Sequence, residues 1–256
     1  MVEIGFGEGK ERSLIERKRS VVVACDLPFH GEFGFMVEQT INIPGIGGYK
    51  IGPIVSFEMG LSPVVRLIRN LAEKYSRDPS SVAVIYDHQK AATDIPELGA
   101  GFIGKIADAG VDAIILFPFG GGKTQREWTK AAWDFGLVPI IGGEMTHPEF
   151  LWSQGGYIHD EAPEFIYRRA VQQRVRDFVV PGNKPEKVEK YRRLLEEELG
   201  EGNFVLYAPG FISQGGDISE TGKIAGERWH AIVGSAIYKA DDMRKAAQML
   251  TAQIST

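Results

Sequence analysis

Apolar runs of three to five residues recur along the chain, and the polar-apolar segments between most of them are long enough for a helix. The runs are residues 21–25, 49–52, 82–86, 113–117, 138–141, 177–180, 204–207 and 231–233. They are continuous rather than alternating, as expected of parallel strands buried on both faces. Residues 63–75 and 184–199 between them are amphipathic at helical spacing. Eight such units in 256 residues predict an α/β protein of one domain, a closed (β/α)8 TIM barrel over residues 20–256. The structural competitor is an open doubly wound sheet, which usually has about five to seven strands and an early glycine fingerprint. Residues 27–48 contain no G-x-G-x-x-G. They hold a glycine-rich aromatic stretch instead, so the first crossover carries no clean helical pattern. Residues 1–19 read as an N-terminal extension, with a short charged surface helix expected over residues 13–19.

Composition narrows the function. With 43% hydrophobic and 25% charged residues, the chain supports a single core without staples. One cysteine, Cys25, excludes an internal disulfide and a cysteine-rich metal site, and is expected as a small core residue. A net charge of -5 without a basic run gives no general reason to bind nucleic acid. No apolar stretch approaches the roughly 20 residues of a membrane span. The N-terminus, with Glu3, Glu8, Lys10, Glu11 and Arg12, lacks a signal-peptide core. A cytoplasmic protein acting on a small molecule is expected.

In a barrel of this kind the chemistry sits at the C-terminal ends of the strands. The polar residues there are Asp26, Lys50, Asp87, Lys90, Thr146, His147, the sequence Gln214-Gly215-Gly216-Asp217, and Ser235 after Gly234. The densest segment follows the third run, where Asp87, Lys90 and Asp94 crowd acid, base and acid into eight residues. Alternating charges at a strand end hold one another ionised and exert a strong field on a bound molecule. Gly215, Gly216, Gly234 and Ser235 form turns after the seventh and eighth strands, where such barrels hold phosphate. Gly120-Gly121-Gly122-Lys123-Thr124 resembles the end of a P-loop, but Phe117 stands where the first glycine belongs. It is read as a flexible loop over the site. His30, His159 and His230 have no ligand spacing, so no metal is expected, and His147 is read as shaping the Thr146 turn.

Five blocks in order resemble the orotidine 5'-phosphate decarboxylase family. They are Tyr49-Lys50-Ile51-Gly52, the segment from Asp87 to Pro96, Glu144-Met145-Thr146-His147-Pro148, Ala208-Pro209-Gly210 with Gln214-Gly215-Gly216-Asp217, and Ile232 to Tyr238. The resemblance runs from about residue 20 to the end. It implies a cofactor-free, homodimeric barrel that converts orotidine 5'-phosphate to uridine 5'-phosphate in de novo pyrimidine biosynthesis. It further implies that Lys50, Asp87, Lys90 and Asp94 form the catalytic charge network, with Asp94 reaching into the partner's site. Asp26 and Lys50 would lie near the ribose hydroxyls and Thr146 at the pyrimidine. Gln214 would bridge base and phosphate, and Pro209, Gly215, Gly216, Gly234 and Ser235 would complete the substrate pocket. Lys90 would protonate C6, and Asp87 would crowd the leaving carboxylate.

The chain departs from the family pattern at three places. D-x-K-x-x-D-I-P is two residues longer here, which puts positions 87 and 90 on opposite faces of a regular strand. Either the strand ends early or bulges at Asp87, or His88 takes the inward position with Lys90. Ser235 replaces a common phosphate-gripping Arg, with Lys123, Arg228 and Lys223 as candidate substitutes, and Leu98 replaces a usual Thr. Two alternatives therefore stay open: a related sugar-phosphate decarboxylase or hexulose phosphate synthase-like lyase dependent on Mg²⁺, and a catalytically silent nucleotide-binding barrel.

Overall fold

The eight apolar runs become eight parallel strands that close on themselves in sequence order. The structure is a computed structural model that describes residues 13–27, 30–88, 91–211 and 215–254. The strands are β1 (Arg19–Cys25), β2 (Ile46–Ile51), β3 (Ala83–Asp87), β4 (Ala113–Leu116), β5 (Val138–Gly142), β6 (Asp177–Val179), β7 (Val205–Pro209) and β8 (Trp229–Val233). β1 pairs with β8 through Arg19 opposite Trp229 and Val23 opposite Val233. The expected (β/α)8 barrel forms.

Strand alternation divides the apolar side chains into two cores. Val22, Ala24, Ile85, Ile115, Ile140, Val179 and Ile232 fill the barrel interior, while Val21, Val23, Cys25, Ile114 and Ile141 face the helical shell. That shell comprises α1 (His30–Thr40), α2 (Pro53–Met59), α3 (Leu61–Lys74), α4 (Gly99–Asp108), α5 (Gly122–Asp134), α6 (Ala162–Gln172), α7 (Pro185–Leu199), α8 (Ile218–Ile224), α9 (Ser235–Tyr238) and α10 (Met243–Ile254). The amphipathic segments behave as their spacing requires: α3 buries Val64, Val65, Ile68 and Ala72, and α7 buries Val188, Tyr191, Leu194 and Leu195. Among the described residues no helix is long and apolar enough to cross a membrane.

One local expectation fails and one that carried no clean pattern holds. The first crossover is a helix, because Phe33, Met36, Val37 and Thr40 repeat at three- and four-residue spacing and are buried. Gly31 and Gly34, before and within it, hid that stripe. Residues 13–18 form bends rather than a surface helix. Ile15 inserts into the barrel interior core, and the Trp229 N–H donates to the Lys18 carbonyl at 2.9 Å. This segment works as a floor beneath the barrel.

Above that floor lies a polar layer. Ser20 Oγ is 2.8 Å from His230 Nδ1, and the Tyr207 hydroxyl donates to Asp177 Oδ1 at 2.9 Å. The Tyr207 and His230 rings are 5.1 Å apart. Burial pushes the Asp177 carboxyl up to about 6, with the Tyr207 hydrogen bond and Arg228 partly offsetting it. Burial, with Arg228 adding to it, pushes His230 down to about 3. For Asp177 the folded value lies above the unfolded one, so its contribution to stability is complete below the unfolded value and is lost as pH rises through about 6. His230 acts oppositely: its contribution is present above its unfolded value and lost as pH falls toward about 3. Asp177→Asn retains an acceptor for Tyr207 and needs no buried charge. It is expected to gain roughly 2 kcal/mol at pH 8 and little at pH 4. Thermal melts at the two pH values check this, and an equal gain at both contradicts it.

Candidate active site

A cavity of about 410 Å³ opens at the C-terminal mouth of the barrel. Its charged floor comes from the first three strands. Alternation turns Lys50, on β2, inward, and its ammonium lies 3.3 Å from Asp26 Oδ1 and 3.1 Å from Asp87 Oδ2. Lys50 is only 5% exposed. Burial pulls its pKa down, but Asp87 and Asp26 outweigh that and hold it above the ordinary lysine value. The ammonium therefore persists at neutral pH, compensated by two carboxylates. Gly52 makes the approach possible, since a Cβ there would lie 2.4 Å from Asp26 Oδ1.

β3 resolves the register of the charged segment by ending at Asp87. Asp87 faces the cavity. His88 packs instead against Phe57 and Phe102 in the helical shell. Beyond it, the Ala91 carbonyl accepts from the Phe117 N–H at 2.9 Å. Lys90 lies outside the described residues. Asp94 is exposed and is not among the walls of its own protomer's cavity. Its Oδ1 accepts from the Ile95 N–H at 2.7 Å, and the Thr124 hydroxyl donates to its carbonyl at 3.0 Å.

Thr146, His147, Pro209, Gly234 and Ser235 also line the cavity. Gly215 and Gly216 do not. The Gly216 N–H donates to the Gly210 carbonyl at 3.2 Å, so of the expected glycine cradle only Gly234 and Ser235 stand at the cavity wall. Gln214 lies outside the described residues. Of the three candidate phosphate cations, none lines the cavity. Lys123 is exposed and 3.3 Å from Glu97. Arg228 precedes β8, at the opposite end of the barrel, and donates to Ser13 Oγ. Lys223 sits in the last turn of α8, and helix ends in this fold lie away from the mouth. Leu98 is half exposed, also off the cavity wall. Gly120 and Gly121 form a turn, and residues 122–124 are the first turn of α5, so the expected flexible loop is a helix start.

Sequence reasoning left Glu144, Asn183 and Tyr238 without roles. Glu144 is 1% exposed and lines the cavity. It accepts from Lys184 at 3.0 Å and from the Tyr191 hydroxyl, with Lys187 at 3.6 Å. Lys184 also donates to the Met145 carbonyl at 3.0 Å, and Asn183 to the Thr146 carbonyl at 3.1 Å. The start of α7 thereby clamps the turn that carries Thr146. The signal was present, since Glu144 is the first charged residue after the fifth apolar run, past Gly142 and Gly143, as Asp26 is after the first. A hollow of about 370 Å³ at the N-terminal face is lined by residues 13–17, 42–47, 77–78 and 80–81. Its Arg77 is committed to the carbonyls of Ile41 and Ile46, so the mouth is the better site.

A closed parallel barrel with an ammonium held between carboxylates at its C-terminal mouth has the form of a barrel enzyme that acts by fixed charge. No family model matches the chain. Orotidine 5'-phosphate decarboxylase of Pyrococcus horikoshii is 31% identical over 236 residues, covering 91% of this chain and 98% of the relative. That of Methanosarcina barkeri is 29% identical over 243 residues, covering 94% and 96%. Among solved structures, orotidine 5'-monophosphate decarboxylase of Methanocaldococcus jannaschii, complexed with the inhibitor BMP, superposes with a TM-score of 0.76. It is 20% identical, with 93% of this chain and 99% of that one covered. The chain belongs to the orotidine 5'-phosphate decarboxylase family.

Proposed function

We propose that this protein decarboxylates orotidine 5'-phosphate to uridine 5'-phosphate, as a cytoplasmic homodimer and without a cofactor. The observation that carries the reading is the Lys50 ammonium clasped by Asp26 and Asp87 at the barrel mouth, in a chain 31% identical to a decarboxylase of nearly the same extent.

The chemistry asks little beyond fixed charge and one proton. Loss of CO₂ breaks the bond to C6 and leaves its electron pair on the ring carbon. Lys90 stabilises that charge as an ammonium and then transfers a proton to C6. Asp87, held by Lys50, stands against the substrate carboxylate, whose charge disperses as the bond breaks. Asp26 and Lys50 take the ribose hydroxyls, and Thr146 takes the pyrimidine edge. Gln214 spans base and phosphate, and Pro209, Gly234 and Ser235 wall the remaining pocket. Asp94 of each protomer completes the charge network of the other. The phosphate end offers the Ser235 hydroxyl in place of a guanidinium, so the phosphate contributes less binding energy than a bidentate Arg would give.

Purified protein is expected to deplete the absorbance of orotidine 5'-phosphate and to continue doing so in the presence of a chelator. A folded dimer that binds uridine 5'-phosphate without turning over the substrate sinks the decarboxylase reading in favour of a silent nucleotide-binding barrel. Activity abolished by the chelator favours a Mg²⁺-dependent lyase.

A further inference from the structure

We propose that His88 is a positioning residue: it fastens the chain to the outer wall of the barrel just after Asp87, and so fixes the direction in which the Asp87 carboxylate faces Lys50. The kinetic part of this inference rests on the decarboxylase reading, whereas the contact itself does not.

Asp87 is the last residue of β3: it pairs with Ile115 of β4, while the β2 ladder stops at Tyr86, so the ladder holds it on one side only and ends immediately after it. The inward carboxylate therefore needs an anchor on its C-terminal side. The Tyr86 hydroxyl lies 2.5 Å from His88 Nδ1. The imidazole meets Phe102 of α4 edge-on at 5.0 Å and Phe57 of α2 at 6.1 Å. Tyr86 and His88 thus form an outward-facing pair that brackets the inward-facing Asp87.

The same wall holds the far end of the segment. Phe102 packs on Trp128 of α5 at 5.2 Å, and the Trp128 indole donates to the Ile95 carbonyl at 3.2 Å. Between the two anchors, Ala92 is fully buried with φ at 67°, a conformation that a non-glycine residue keeps only when its surroundings impose it. The described parts of the segment, His88 and residues 91–95, are thus held from both sides of its longer stretch. Burial holds the His88 imidazole below its ordinary value, although Asp87 pulls it back up. A neutral ring makes this bond in either tautomer: Nδ1 accepts from the Tyr86 hydroxyl when the proton is on Nε2 and donates to it when the proton is on Nδ1. None of this touches substrate. It governs where a carboxylate sits, and a displacement on the order of 1 Å costs on the order of 10²-fold in rate.

Three variants separate the hydrogen bond from ring packing. His88→Phe keeps an aromatic ring and loses the bond, Tyr86→Phe removes the other partner, and His88→Asn keeps a polar group near the Nδ1 position. His88→Phe and Tyr86→Phe are each expected to lower kcat about tenfold with KM within about twofold. The double variant is expected to be no worse than either single one, and His88→Asn to recover part of the loss. Wild-type kcat in His88→Phe, or additive losses in the double variant, overturns the proposal. The contact is also read without substrate, from the imidazole nitrogen NMR shift of His88 in wild type and in Tyr86→Phe. A changed shift supports the anchor and an unchanged shift overturns it, including in a wild type that fails to turn over orotidine 5'-phosphate.

Discussion

Lys90→Ala is expected to slow decarboxylation of orotidine 5'-phosphate by at least about 10³-fold while leaving a folded protein that still binds uridine 5'-phosphate. On the proposed mechanism two effects disappear together: the cation beside the developing charge on C6, and the proton that quenches it. Lys50 offers no substitute. Its ammonium is engaged by Asp26 and Asp87, and those carboxylates hold its proton more tightly than an ordinary lysine does, despite burial. Lys90→Arg separates the two effects, because a guanidinium keeps the charge but does not release a proton near neutral pH. It is expected to bind like the wild type and remain nearly as slow as the alanine variant. Single-turnover rates with orotidine 5'-phosphate and equilibrium titrations with uridine 5'-phosphate provide the two readouts. Wild-type turnover in Lys90→Ala removes Lys90 from the mechanism.

The strands were legible because a parallel barrel buries both faces of each one, which leaves continuous apolar runs such as 113–117. Asp26, Lys50 and Asp87 were legible for a related reason: a charge at the end of such a run is costly unless paired, and the structure pairs all three. Other features depend on contacts remote in sequence. Nothing near Ile15 indicates that it enters the barrel interior. The partners of Glu144 lie some 40 residues away on the chain, at Lys184 and Tyr191. The inward choice of Asp87 over His88 rests on where β3 stops, and on an aromatic wall drawn from α2 and α4. Of the three candidate phosphate cations, Arg228 precedes the eighth strand, so the rule that placed the chemistry at the C-terminal ends already put it at the far end of the barrel.

Asp94, proposed to act across the dimer, yields the other large effect, and one that differs in kind. In its own protomer Asp94 is exposed, engaged by the Ile95 N–H, and absent from the cavity walls. Thr124 and Trp128 nevertheless fix the backbone at Asp94 and Ile95, a rigid mounting suited to a carboxylate presented outward. If Asp94 completes the partner's charge network, Asp94→Ala loses about 10²-fold or more in kcat although nothing in its own cavity changes. Mixing it with Lys90→Ala then restores activity. In a mixed dimer one site has both residues removed, while the other combines Lys90 of one chain with Asp94 of its partner. Random reassociation of equal amounts places intact sites at about one quarter of the wild-type number, so about one quarter of wild-type activity is expected after unfolding and refolding the two variants together. The same variants refolded separately and then assayed together stay inactive for as long as their dimers do not exchange. Mixed dimers that form and remain inactive assign Asp94 to its own protomer or to no site, and activity recovered at the expected fraction requires a site built from two chains.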